Sequence, residues 1–275
     1  MKRLYDLIHS TDDNSEEILS FIKQKEAELT YEEVFDMVMQ TCEYHSNETR
    51  DDRLRLVRCS TFQLSIHRNK SSEVLFKLMD IGGRGLLMKR CEGRKSYRRG
   101  ETALITICRK GNISMDIISE MIRIGERELI MMADHYGCTA LHSVCEKQHT
   151  SLDIIEALIG IGDLTLLMMK DDNGSNTLHI ASENRYTSLD IILKFIDIGG
   201  QELIMVTNCC GMTVLHFECY YDDENLTIAT NCTWFSEHVS GMNNFSEILK
   251  MTWSCWYPKN NKPCNKCVMC RERLK

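Results

Sequence analysis

Four glycines, Gly100, Gly137, Gly174 and Gly211, stand 37 residues apart. Each opens the same short phrase. Gly100-Glu101-Thr102-Ala103-Leu104 returns as Gly137-Cys138-Thr139-Ala140-Leu141-His142. It returns again as Gly174-Ser175-Asn176-Thr177-Leu178-His179, and as Gly211-Met212-Thr213-Val214-Leu215-His216. A constant period in the range of about 20–50 residues marks a stack of like units. Each unit of such a stack leaves an apolar face that only its neighbours can bury, so about three or more copies are needed.

Between the glycines the pattern continues. Thr150-Ser151-Leu152-Asp153-Ile154-Ile155 matches Thr187-Ser188-Leu189-Asp190-Ile191-Ile192, and Ile113-Ser114-Met115-Asp116-Ile117-Ile118 is a looser copy. A Ser or Thr followed by an acidic residue suits a helix start: the hydroxyl accepts from a free amide, and the carboxylate faces the positive end of the dipole. Apolar residues follow at helical spacing, as in Ile154, Ile155, Leu158 and Ile159. Glycine after the last apolar turn predicts a stop at Ile124-Gly125, Ile161-Gly162 and Ile198-Gly199. A shorter helix from the motif Thr to about Lys147 or Glu183 precedes this one. Each unit therefore reads as helix, loop, helix, and a tail such as Glu128-Leu129-Ile130-Met131-Met132.

The phrase Gly-x-Thr-Ala-Leu-His-x-x-Cys resembles the signature of the ankyrin repeat family, in which Thr-Pro-Leu-His opens the first helix. Asp134 and Asp171 match that family's turn Asp, with Asn208 as a substitute, and Gly111-Asn112 matches its inter-helix turn. The likeness spans roughly residues 61–220. The period here is longer than the family's ~33, the motif proline is absent, and Ile105 replaces one His. The extra residues fall around Gly199-Gly200-Gln201-Glu202-Leu203. An earlier copy aligns at Ser71-Ser72-Glu73 and Asp80-Ile81-Gly82-Gly83, with a six-residue insertion between Met88 and Gly100.

The expected fold is an all-α solenoid of ankyrin-like helix-turn-helix repeats. Residues 1–60 form a helical, charged N-terminal cap. Residues 61–224 hold a degenerate copy (61–99), copies from 100, 137 and 174, and a partial copy from 211. Residues 225–275 are an irregular, basic, Cys-rich tail. Composition agrees, with 43% apolar residues, 27% charged and only two prolines. A net charge of −7 argues against general nucleic-acid binding. The chain has no apolar run of about 18 residues, and its start lacks the features of a signal peptide, so a cytoplasmic or nuclear protein without a membrane span is expected. Of the 14 cysteines, Cys108, Cys145 and Cys219 share one repeat position and are expected as small core residues, and in such a compartment disulfides are not expected.

Three features are candidates for function. In the ankyrin family the turns before each Gly and the adjoining first helices line the binding groove. The resemblance therefore implies partner binding at His135 and Tyr136, Asp172 and Asn173, and Cys209 and Cys210. The second feature is the insertion, where Arg94, Lys95, Arg98 and Arg99 join Lys89 and Arg90 against Glu92 alone, a positive patch suited to an acidic partner. The third is the tail. Cys264-x-x-Cys267-x-x-Cys270, with Cys255 or His238, has ligand types and a step that suit tetrahedral zinc, although no second spaced pair follows. The motif histidines read as structural hydrogen-bonders. No paired carboxylates, nucleophile elbow or phosphate loop appears, so no catalytic residue and no other cofactor is expected.

The function expected is a non-enzymatic protein-binding scaffold. Two contrasting readings remain: a client-selecting adaptor for a ubiquitin-ligase-like enzyme with a zinc-bearing tail, and nucleic-acid binding through the basic segments.

Overall fold

The structure, a computed structural model, describes residues 4–10, 13–45, 56–92, 99–111, 114–147, 151–184 and 186–214. The chain divides into two compact units, residues 1–140 and 141–275. The first contains helices α1 (Leu4–His9), α2 (Ser15–Glu28) and α3 (Tyr31–Met39), strands β1 (Thr41–His45) and β2 (Leu56–Ser60), then α4 (Thr61–His67), α5 (Ser72–Leu87), α6 (Ala103–Lys110) and α7 (Met115–Met131). The helix α8 (Ala140–Cys145) begins at the boundary. In the second unit follow α9 (Leu152–Met168), α10 (Thr177–Glu183) and α11 (Leu189–Ile204).

Within the first unit the short helices form one row, α1 against α4 and α4 against α6. The long helices form another, α2 and α3 against α5, and α5 against α7. In the second unit α9 and α11 pack together, with α10 against both. These are the helix pairs expected of the repeat, and their apolar stripes are the core: Val74, Leu78, Leu104, Met121, Leu158 and Phe195 are buried. Placing such a side chain out of water is worth ~1.5–3 kcal/mol.

The first helices begin where the motif predicts. Thr102 accepts from the amide of Ile105, and Asn176 forms a reciprocal cap with His179. The second helices also begin at the expected serines. However, Ser114, Ser151 and Ser188 make no side-chain cap bond; only Ser71 in this row accepts one, from Val74. Gly111 closes α6 in the left-handed conformation, at φ 76°.

Two expectations need correction. First, the long helices do not stop at their glycines. The backbone breaks one residue later, at Gly83, Glu126, Asp163 and Gly200, all near φ +50° with ψ between −147° and −158°. A further helical turn follows, and it is this turn that lengthens the repeat. It delivers two buried apolar residues each time: Leu86 and Leu87, Leu129 and Ile130, Leu166 and Leu167, Leu203 and Ile204. Second, the N-terminal region is not wholly helical, because β1 and β2 pair antiparallel, with Thr41 opposite Ser60 and Glu43 opposite Arg58. Here the period-2 burial of Cys42, Val57 and Cys59 outweighs any helical pattern.

Candidate fingertip groove

Each repeat projects a turn ahead of its first helix, and one backbone recipe builds it. The Oδ1 atom of Asp134 accepts from the amides of Tyr136 and Cys138, at 2.8 and 2.9 Å. Asp171 holds Asn173 and Ser175 in the same way, at 2.9 and 2.8 Å, and Asn208 holds Cys210 and Met212 at 2.9 and 3.0 Å. A short side-chain acceptor two and four residues ahead of the amides is what closes such a turn. Burial raises the pKa of Asp134 and Asp171, and these amide donors work against that rise.

Neighbouring turns touch through their backbones. The amide of His135 donates to Arg99 O at 2.9 Å, and that of Cys209 to Asn173 O at 2.8 Å. A Cβ on Gly100 would lie 2.8 Å from His135 N, and one on Gly174 would lie 2.8 Å from Cys209 N. At Gly100 and Gly174 glycine is therefore required for this close approach as well as for its positive φ.

The same turn in the preceding copy is longer. Gly100 N donates to Cys91 O and Cys91 N to Glu101 O, so Cys91 stands where Asp134 stands in the next copy. Nine positions separate Cys91 from Gly100 and three separate Asp134 from Gly137, which puts the six-residue insertion inside the turn. The β1–β2 hairpin stands in the corresponding place ahead of α4, since its closing pair Thr41–Ser60 matches the Ala133–Thr139 bridge ahead of α8. Arg58 and Glu92 exchange backbone bonds at 2.8 and 2.7 Å. The turns of the first unit thus form a hydrogen-bonded ladder: β1, β2, Glu92, then Arg99 and His135.

One face of this ladder is apolar, with Cys42, Cys59 and Cys91 all buried. Burial pushes the Cys42 thiol up to about 12, so it stays protonated and unreactive. The other face carries charge. Arg58 lies between Glu43, at 3.1 Å from its Nε, and Glu92, at 3.5 Å from its Nη1. Arg99 reaches to 3.5 Å from His135 Nε2. Together with Lys89 and Arg90 these side chains line an open groove of about 1300 Å³. Behind it, Arg109 joins the buried carboxylates of Glu101 and Asp134, at 3.2 Å each. That bridge anchors the turn bearing His135 to α6.

Two of the motif histidines, His142 and His179, are buried against the next turn. His179 places Nε2 3.1 Å from Met212 O, and His142 lies buried with the backbone of Ser175 and Met169 beside its ring. Gln63 occupies the same position in α4 and donates to Glu101 O at 2.9 Å. It performs the histidine's task in the degenerate copy.

Of the predicted binding residues, His135 and Tyr136 sit at a tip with rings 5.9 Å apart, and Tyr136 is 40% exposed. Asp172 and Cys209 are exposed, whereas Asn173 and Cys210 are half-buried. The Asn173 amide group turns inward to Asp171 Oδ2 at 3.1 Å, which leaves less of it for a partner. The Cys209 and Cys210 sulfurs lie 3.9 Å apart. Arg99 lines the groove, while Arg94, Lys95 and Arg98 lie outside the described residues. So do Cys255, Cys264, Cys267 and Cys270, with His216 and His238. Among the described residues no group of three or more His, Cys, Asp or Glu is placed to hold a metal.

Sequence reading missed Glu43 and Arg58. Their signal was present, since Thr41-Cys42-Glu43 and Val57-Arg58-Cys59 alternate as half-buried strands do.

Stacked helix pairs with turns closed by Asp or Asn and joined tip to tip define an all-α repeat protein of the ankyrin type. Among solved structures, the chain is similar to the one described as "Crystal structure of the ankyrin repeat domain of Bcl-3: a unique member of the IkappaB protein family". The match covers 79% of each chain at a TM-score of 0.51 and 14% identity, a likeness of fold. No family model and no curated protein matches the sequence. Among the described residues no helix is long and apolar enough to cross a membrane.

Proposed function

We propose that this chain is a non-enzymatic scaffold that binds another protein through the turn tips of its repeats and the faces beside them. One observation carries the reading. The turns share their backbone bonds and their glycine, and three of them an Asp or Asn acceptor, yet they present different side chains: Arg99, then His135 and Tyr136, then Asp172, then Cys209. A frame held constant while its exposed tips vary is suited to recognition. Tyr136 is the best single anchor, because exposed aromatics dominate interface energetics. The segment from Leu4 to Ser60 acts in this reading as a further, elongated repeat rather than a separate cap, since α1 packs on α4 as α4 packs on α6. The protein would act in the cytoplasm or nucleus. The zinc-bearing adaptor and nucleic-acid readings gain no specific observation from the described residues.

The test is affinity capture with the full chain against Tyr136→Ala and Asp172→Ala variants. Each substitution is on the surface and leaves the frame intact. Loss of the captured proteins with either variant, at an unchanged unfolding midpoint, supports the reading. Undiminished capture by both would place recognition elsewhere.

A further inference from the structure

We propose that the charged groove of the first unit takes an extended acidic segment of a partner protein, engaging its Asp or Glu carboxylates. This rests on the protein-binding reading above and names the chemistry of the ligand.

In a chain of net charge −7, the groove is lined by four cations, Arg58, Lys89, Arg90 and Arg99. Glu43 and Glu92 oppose them, and both carboxylates are taken up by Arg58. The third acid at the groove, Asp134, is buried and bridged to Arg109. Arg90 Nη1 donates to the carbonyls of Gly100 and Ala133, and Lys89 to that of Met39. A carbonyl orients a cation without cancelling its charge. Arg99 is exposed, and among the described residues its side chain meets only the His135 ring. Among the described residues Lys89, Arg90 and Arg99 therefore face the groove with no carboxylate partner, two of them held in place, and the lining sets four cations against three acids.

Shape points to an extended ligand. The groove floor is a ladder of backbone segments joined by hydrogen bonds between Arg58 and Glu92 and between Arg99 and His135. Strands so joined stand about 4.8 Å apart, and the groove runs across them from Arg58 to His135. A chain with carboxylates on alternate residues presents charge about 7 Å apart on one face and can meet several of the cations. Among such ligands, Arg99 is the most available fork for a carboxylate, and its planar guanidinium favours a two-point contact.

The experiment uses the full chain and a fluorescein-labelled peptide of alternating Glu and Ala, followed by anisotropy. The same peptide with Gln for Glu is the control. The proposal expects the Glu peptide to bind at least about tenfold more tightly and to weaken with added salt. Arg99→Glu should abolish the difference, and Arg99→Lys should retain part of it. Glu43→Gln, which relieves Arg58 of one carboxylate, should tighten binding, a gain that misfolding does not produce. Equal affinity for both peptides, or indifference to Arg99→Glu, overturns the proposal. So does tighter binding of a single-stranded oligonucleotide of matched charge. If Tyr136→Ala abolishes partner capture while the peptide fails to bind, the groove assignment falls and the scaffold reading stands. If capture ignores the tips altogether, the scaffold reading falls.

Discussion

The Cδ2 atom of Leu129 lies 2.4 Å from the point where Gly125 would carry a Cβ. The relation recurs between Gly82 and Leu86 at 2.6 Å, Gly162 and Leu166 at 2.5 Å, and Gly199 and Leu203, where the nearest atom, Cβ, is at 2.4 Å. These glycines occupy helical backbone, and their purpose is room: the chain folds back so that the leucine of the extra turn sits on the glycine four residues before it. Gly162→Ala should therefore destabilise the protein by ~1–3 kcal/mol through overpacking. Urea unfolding would measure it, and a loss of only a few tenths would show that Leu166 moves aside freely.

The next residue carries the strain. Glu126, at φ 53° and ψ −158°, occupies a region that side chains avoid and glycine tolerates. Gly83 and Gly200 occupy the same place in their own copies. Glu126→Gly should stabilise by ~1 kcal/mol, less the small contribution of the solvent-screened ion pair with Arg84. The reverse change, Gly200→Ala, meets no atom within 4 Å, so any destabilisation it brings reports backbone strain alone. Opposite signs for the two variants in chemical unfolding are the expected result.

Leu141 is fully buried in α8. Leu141→Ala should cost about 2–5 kcal/mol. A loss below ~1 kcal/mol would contradict its burial.

Burial lowers the His142 pKa to about 4, against the pull of hydrogen bonds to the backbone of Ser175 and Met169. In the unfolded chain the ring titrates near ~6.5. The fold binds fewer protons between those values, so stability is complete above ~6.5 and declines as pH falls toward 4, by up to roughly 1.4 kcal/mol per unit. His179 is shifted in the same direction. Asp134, Asp171 and Glu183 are shifted upward by burial and have the opposite sign: they favour the fold as pH falls through the carboxylate range, which blunts the loss at its acid end. His142→Gln, which places at this position the residue that Gln63 provides in α4, should flatten the slope between about pH 7 and 5. Unfolding midpoints across that range would show it.

Asp171 accepts from two backbone amides. Asp171→Ala strands both and should destabilise by ~1–3 kcal/mol. Asp172→Ala, one residue along and exposed, should change stability by less than ~0.5 kcal/mol. Comparing their thermal midpoints separates frame from tip.

Much of this architecture was legible in the residues themselves. The period, the first-helix caps, the turn acceptors and the apolar stripes are local patterns, and local patterns are set by the chain's own stereochemistry. The glycines were visible but misread, because a helix-stop glycine and a close-packing glycine look alike until the leucine four residues later is seen folded onto it. The ladder of turns was hidden for a stronger reason. Glu43, Arg58, Glu92, Arg99 and His135 are scattered over 93 positions, and their partnership arises only when successive turns hydrogen-bond side by side. Sequence determined that this chain would stack helix pairs and project turns between them. Tertiary structure decided which charges at those turns meet a carboxylate and which do not, since that depends on pairings between distant segments that no local pattern encodes.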